Sequence, residues 1–238
     1  ATCEAAPAAD RLEPCVFGDP ASAFLVMLYG DSHAGMWLPA MTEIAARRHW
    51  RVQFYGKPAC PAPRLLLGNA TCDRFRDFVL REVRAERPDL VLVTSLSRKG
   101  ELITEARWQA GLVETLSALR RSAARVMVLG DLPVLDESAP ECLAAHPADV
   151  PACATSRAVA TERVWNDADR AAAKATGSAY LPVVPWLCGA ICTPVIGNVT
   201  VYRNRFHLTA TYARVLSAVL EDALLTADPA APRGGTAG

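Results

Sequence analysis

The sequence predicts a single doubly wound α/β domain, with a flavodoxin-like parallel sheet of about five strands and helices on both faces. Short apolar runs alternate with segments of helical periodicity along most of the chain, the mark of successive strand–helix units. At 238 residues and 51% hydrophobic content, the chain suits one such domain with a substantial core. No internal repeat or second compositional regime interrupts the alternation.

The elements follow in order. Residues 1–23 are polar, carry Pro and Ala, and hold Cys3 and Cys15, so they read as an N-terminal clasp. The domain proper spans 24–226. Phe24–Tyr29 is the first strand, followed by a helix from about Ala34 to Arg48. Trp50–Tyr55 alternates like a strand and ends at Gly56, and Lys57–Thr71 is a loop rich in Pro and Leu. Asp73–Glu86 places Phe75, Phe78, Val79 and Val83 at helical spacing, and Pro88 ends it. Leu90–Thr94 is a continuous apolar run typical of a central parallel strand. Glu105–Ala124 is the next helix and Arg125–Leu129 the next strand. Pro133–Cys153 has no clear period and reads as an ordered insertion. Ser156–Thr176 is helical, Ala179–Val184 is a short fifth strand, and Thr211–Leu225 is the last amphipathic segment. Residues 227–238 form a Pro/Gly/Ala tail expected to be disordered.

Composition excludes several classes of function. Net charge is zero and no basic stripe appears, so nucleic-acid binding has no electrostatic support. Only three of the 25 basic residues are lysine, and Ala is abundant, which fits a GC-rich bacterial genome. No stretch approaches the roughly 20 apolar residues of a membrane span, and no signal peptide precedes the domain. A piece of a larger membrane protein or a mature secreted protein would look like this.

The eight cysteines fall into four successive near pairs: Cys3 with Cys15, Cys60 with Cys72, Cys142 with Cys153, and Cys188 with Cys192. Each pair encloses a loop. Zinc knuckles and interspersed histidines are missing, so four local disulfides are expected, with no metal. That chemistry belongs to an oxidising, extracytoplasmic compartment.

The most informative segment is Leu28-Tyr29-Gly30-Asp31-Ser32-His33-Ala34. A serine at a strand-to-helix turn has its hydroxyl at the carboxyl edge of the sheet, where α/β folds place ligands. Its backbone N–H lies at a helix N-terminus, suited to an oxygen that becomes negative during acyl transfer. Ser32 reads as a nucleophile or as an ordinary helix cap. Near the other end, Tyr202-Arg203-Asn204-Arg205-Phe206-His207-Leu208-Thr209 precedes the last helix. His207 there can fold back over Ser32 as its general base. His49, at a helix end, reads as a surface residue, and His146 is uninformative.

Ser32 and His207 in this order resemble the SGNH (GDSL-type) hydrolase superfamily, whose first block is Gly-Asp-Ser and whose last is Asp-x-x-His. A narrower likeness rests on Cys15-Val16-Phe17-Gly18-Asp19, Gly-Asp-Ser-His-Ala with Trp37 and Pro39, Cys60-Pro61, and Cys188 and Cys192 before Tyr-Arg-x-x-x-His-Leu-Thr. It is similar to the SGNH domain fused to the C-terminus of integral-membrane acyltransferases of family three, the O-acetylases of bacterial surface polysaccharides. The resemblance runs from about Cys3 to Leu225. It implies an SGNH-type sheet, catalysis by Ser32 and His207, no cofactor, and a supporting place for Asp31 and His33 beside the nucleophile.

Two departures stand out. Superfamily oxyanion holes combine the nucleophile's N–H with a Gly N–H after the second strand and an Asn after the third. Gly56 fits the first position, but the third strand runs into Thr94-Ser95-Leu96-Ser97-Arg98, leaving the Ser95 and Ser97 hydroxyls as candidates. Where the superfamily has its triad Asp, this chain has Asn204, which can hold an imidazole but supplies no charge.

The expected function is therefore the extracytoplasmic domain of a cell-envelope O-acyltransferase, tethered through a membrane domain. Its partners would be the membrane acyltransferase domain of the same full-length chain and a carbohydrate acceptor. The alternatives are a secreted carbohydrate esterase using the same residues on water, and a non-catalytic module that positions glycan.

Overall fold

The computed structural model describes residues 3–65, 68–97 and 103–227. Nearly all of the expected tail, and Arg98, lie outside the described residues.

Cys15–Gly18 forms β1, a strand that the polar clasp did not advertise. Leu25–Gly30 is β2, buried throughout, and the helix expected after it is two: α1, Ser32–Gly35, and α2, Leu38–Arg48. Pro39 stands in the first turn of α2, where its missing N–H costs nothing. β3 is Arg51–Gly56, α3 Ala70–Glu86, β4 Leu90–Thr94, α4 Glu105–Arg120 and β5 Arg125–Leu129. The insertion holds α5, Ala139–Ala145, and a 3-10 turn at Val150–Cys153, followed by β6, Thr155–Ser156.

The expected helix over 156–176 is also divided, into α6, Arg157–Glu162, and α7, Asn166–Thr176. The Trp165 N–H donates to the Ser97 carbonyl (3.0 Å) instead of continuing α6. β7 is Ala179–Leu181, and three two-residue strands follow: β8 (Ile191–Cys192), β9 (Val195–Ile196) and β10 (Val199–Thr200). The last helix breaks at Leu216 into α8, Ala210–Val215, and α9, Ser217–Thr226.

The main sheet runs β1-β3-β2-β4-β5-β7, with β1 antiparallel at one edge and the other five strands parallel. Counting the parallel strands alone, the order is the flavodoxin-like 2-1-3-4-5, so the topological switch point lies between β2 and β4. Alternation along β2 builds both halves of the core. Val26 and Leu28 join Met41 and Ile44 of α2 and Tyr212 and Leu220 of the C-terminal helices. Leu25, Met27 and Tyr29 join Phe75 and Val79 of α3 and Leu112 and Leu116 of α4 on the opposite face. Burial on both faces is why the strand reads as an unbroken apolar run.

All four disulfides join the expected pairs: Cys3–Cys15, Cys60–Cys72, Cys142–Cys153 and Cys188–Cys192. The first pins the clasp. Buried Lys57 secures it further by donating to the carbonyls of Ala6 (2.9 Å), Pro7 (2.7 Å) and Ala9 (2.9 Å). No described helix is long and apolar enough to cross a membrane.

Between α4 and α7 the buried Asp169 carboxyl accepts the Trp108 indole N–H at 2.7 Å. Burial pushes its pKa up to about 7, against the pull of that hydrogen bond and with help from Asp131. The folded chain therefore keeps this proton to higher pH than the unfolded chain. Its contribution to stability is full below the ordinary carboxyl range and erodes as pH rises toward 7. Asp169→Asn, which keeps an acceptor for Trp108, should match wild type near pH 3. At pH 8 it should melt higher by on the order of 5 °C. Parallel melting curves across that pH range would contradict the assignment.

Candidate active site

Gly30 ends β2 at φ +157°, and a Cβ there would lie 1.8 Å from the Thr94 carbonyl oxygen. Glycine alone lets β2 and β4 approach this closely before the chain turns into α1. Asp31 caps that turn: its Oδ1 accepts the His33 N–H at 2.8 Å, and its main-chain carbonyl accepts from Ala34 and Gly35. The Ser32 amide, partly exposed at the start of this short turn, is not used in the capping arrangement.

Ser32 and His207, 175 residues apart, meet at the switch point with Oγ and Nε2 separated by 2.9 Å. The His207 loop is closed by the Tyr202–Leu208 bridge and by the Arg203 N–H, which donates to the His207 carbonyl at 2.9 Å. Burial, reinforced by the positive charges of His33 and Arg203, lowers the His207 pKa to about 4. The imidazole is neutral at physiological pH, the state a general base requires.

Asn204 holds that imidazole from behind. The N–H groups of Phe206 (3.0 Å) and His207 (2.9 Å) both donate to one side-chain atom, which identifies it as Oδ1. Nδ2 then faces His207 Nδ1 at 3.0 Å, with Oδ1 at 3.3 Å. The nearer contact is an amide N–H donating to Nδ1, which leaves the ring proton on Nε2, directed at Ser32. Abstraction of the serine proton needs the other tautomer, with Nδ1–H donating to Oδ1. An aspartate could accept the backbone donors and Nδ1–H together. Asn204 does so only at the longer distance.

The remaining expected residues take supporting places. His33 is fully buried, and its Nδ1 lies 2.5 Å from Asp131 Oδ1. Burial disfavours its charged form, but the charge and hydrogen bond of Asp131, with Asp31 adding to them, raise its pKa overall. Its ring centroid is 4.8 Å from that of His207. Both Asp31 oxygens also accept the Leu96 N–H, at 3.2 and 3.1 Å.

Both the Ser95 and Ser97 hydroxyls have partners in the fold, and Ser95 Oγ, which accepts, keeps its O–H as a donor. Ser95 Oγ accepts the Ala62 N–H at 2.9 Å. Ser97 Oγ accepts from Trp165 at 3.2 Å and donates to Asp131 at 3.4 Å. Gly56 pairs in register with Gly30 at the end of β3, and its carbonyl accepts the Ala5 N–H at 2.8 Å.

Sequence reasoning missed Asp131, Arg203, Asn166 and Glu4. Asn166 fixes Asp131 from both sides, accepting its N–H at 2.7 Å and donating to its carbonyl at 3.0 Å. Glu4 of the clasp packs against Gly35 of α1, and burial raises its pKa while Arg203 opposes the shift. The available signal was Gly130-Asp131-Leu132-Pro133, an acidic residue directly after a buried strand. Among the described residues, no group of His, Cys, Asp and Glu could hold a metal ion.

A serine after the first parallel strand and a histidine before the last helices, on a 2-1-3-4-5 sheet, are the arrangement of an SGNH-type α/β domain. The family model described as "SGNH domain (fused to AT3 domains)" matches residues 2–222, and the chain belongs to that family. A search of curated proteins gives no match. Among solved structures, the periplasmic domain of a lipopolysaccharide acetyltransferase from Salmonella ser. Paratyphi A superposes with TM-score 0.73 at 13% identity, covering 86% of this chain and 84% of that one. A catalytic mutant of Axe2, an acetylxylan esterase from Geobacillus stearothermophilus, gives 0.50 at 10% identity over 89% and 95%. These likenesses show the shared fold.

Histidine nitrogen NMR should find the His207 proton on Nε2 in the wild-type chain. In Asn204→Asp it should move to Nδ1, because a carboxylate accepts there without donating. A protonated Nδ1 in wild type would overturn the orientation assigned to Asn204.

Proposed function

We propose that this chain is the extracytoplasmic domain of a cell-envelope O-acyltransferase. It moves an acyl group such as acetyl to a carbohydrate hydroxyl through Ser32, with His207 as base. The carrying observation is the 2.9 Å Ser32–His207 contact at the switch point. His207 Nε2 takes the Ser32 proton as Oγ attacks the acyl carbonyl, and the N–H at the start of α1 faces the oxygen that becomes negative. Collapse releases the donor, which leaves with the proton from His207, and the acyl group stays on Ser32. The acceptor hydroxyl then gives its proton to His207 as its oxygen attacks the acyl-serine, and the acceptor ester departs as Ser32 Oγ recovers that proton from His207. Water in the acceptor's place makes the same cycle an esterase.

Family membership supports a membrane acyltransferase domain as the partner on the full-length chain, since the family's domains are fused to AT3 domains. The acetyltransferase and esterase named among the structural neighbours act on acylated carbohydrates or lipopolysaccharide, in keeping with a glycan acceptor. The four disulfides suit the extracytoplasmic side. One observation favours a second reading. The Asn204 amide N–H on His207 Nδ1 holds the base in its unproductive tautomer, as in a module that binds glycan without acylating it.

Turnover of p-nitrophenyl acetate separates the two. Slow wild-type hydrolysis, abolished in Ser32→Ala and raised about 100- to 10,000-fold in Asn204→Asp, supports acyl transfer. Wild-type rate should persist as pH falls through 6 and decline only near 4, because the depressed pKa keeps His207 unprotonated. Asn204→Asp should move that limb upward, since a carboxylate favours the imidazolium. Equal background rates in all three proteins would assign the site to glycan positioning.

A further inference from the structure

On the sheet face opposite α2, α3 and α4 leave a cleft of about 400 Å³. Asp77, Arg81 and Arg84 of α3 follow one another at helical spacing, as do Glu114, Ser117 and Arg121 of α4, so the two stripes face each other across it. Both carboxylates are already paired with Arg64, which lies 3.2 Å from each. Arg76, at 4% exposure, pairs with Asp73 at 2.7 Å and donates to the Pro61 carbonyl at 2.9 Å. Arg81, Arg84 and Arg121 are exposed and have no carboxylate partner among the described residues.

The floor supplies the second observation. Tyr29 is fully buried, lines the cleft, and its hydroxyl has no hydrogen-bond partner among the described residues. A buried hydroxyl without a partner is costly, and a ligand oxygen seated there would remove the cost.

We propose that this cleft binds a phosphate ester, held by Arg81, Arg84 and Arg121 and reaching the Tyr29 hydroxyl. Three uncommitted guanidinium forks exceed what one carboxylate can accept, whereas a phosphate offers three terminal oxygens and up to two charges. The volume leaves room for a polyol or sugar beside the anion. The chain has zero net charge and no basic run, unlike a nucleic-acid stripe. The ester could belong to a soluble glycosyl or glycerol phosphate or to a phospholipid headgroup.

Calorimetric titration of the 238-residue chain with glycerol 3-phosphate tests this. One saturable site is expected, with no heat from glycerol. Arg81→Gln/Arg84→Gln/Arg121→Gln should weaken binding at least tenfold and leave p-nitrophenyl acetate turnover unchanged, and Tyr29→Phe should weaken it several-fold. Sedimentation with phosphatidylglycerol vesicles that glycerol 3-phosphate reverses would identify the headgroup as the source; binding of the soluble ester without sedimentation would identify a soluble one. Failure to saturate, or equal binding by the triple variant, would overturn the proposal.

Discussion

The site depends on a buried run of charge, Asp31 and Asp131 around the His33 imidazole. Asp131 Oδ1 meets His33 and also accepts the Leu132 N–H at 2.8 Å, while Oδ2 accepts the Ser97 N–H at 2.8 Å. Asp31 reaches Leu96 in the same loop. Three parallel strands, β2, β4 and β5, thus end on one hydrogen-bonded cluster, and Ser32 lies between two of its members. Removing one partner of such a pair costs about 3–5 kcal/mol, because the other charge stays buried. Strand ends tied this firmly hold Ser32 Oγ in place without help from the side chain that uses it.

The cluster also fixes what His207 can be. Burial disfavours a charged His207, and the neighbouring His33 and Arg203 act in the same direction. His207 is thereby kept ready to accept a proton, while the imidazolium it must become receives no adjacent carboxylate to stabilise it. Asn204 sharpens this asymmetry, since its oxygen is committed to two backbone donors and its amide to Nδ1. Under the proposed acyl transfer, Ser32 is thus well placed and His207 poorly assisted. Such a pair suits transfer from an activated donor brought by a partner better than rapid unassisted hydrolysis.

Much of this was legible in the chain. The apolar runs of β2, β4 and β5 are buried on both faces, so they show plainly, and their alternation with helices yields the sheet order. Ser32, His207 and Asn204 were visible because chain order and short motifs carry them. The clasp strand β1 was hidden: four residues with Val16 and Gly18 exposed give too little pattern. The helix break at Trp165 is set by its bond to Ser97, a tertiary contact that periodicity does not record. Asp131 escaped because its partner is 98 residues away, and nothing local distinguishes it from a turn aspartate. The partners of the serines after β4, Ala62, Asp131 and Trp165, are distant in sequence and leave no local signal either.

Whether Ser32 is an activated nucleophile can be measured directly by treating the chain with a fluorophosphonate and mapping the adduct by mass spectrometry. The account predicts a single adduct on Ser32, suppressed in His207→Ala and formed faster in Asn204→Asp. An unmodified Ser32, or equal labelling with and without the His207 imidazole, would contradict it.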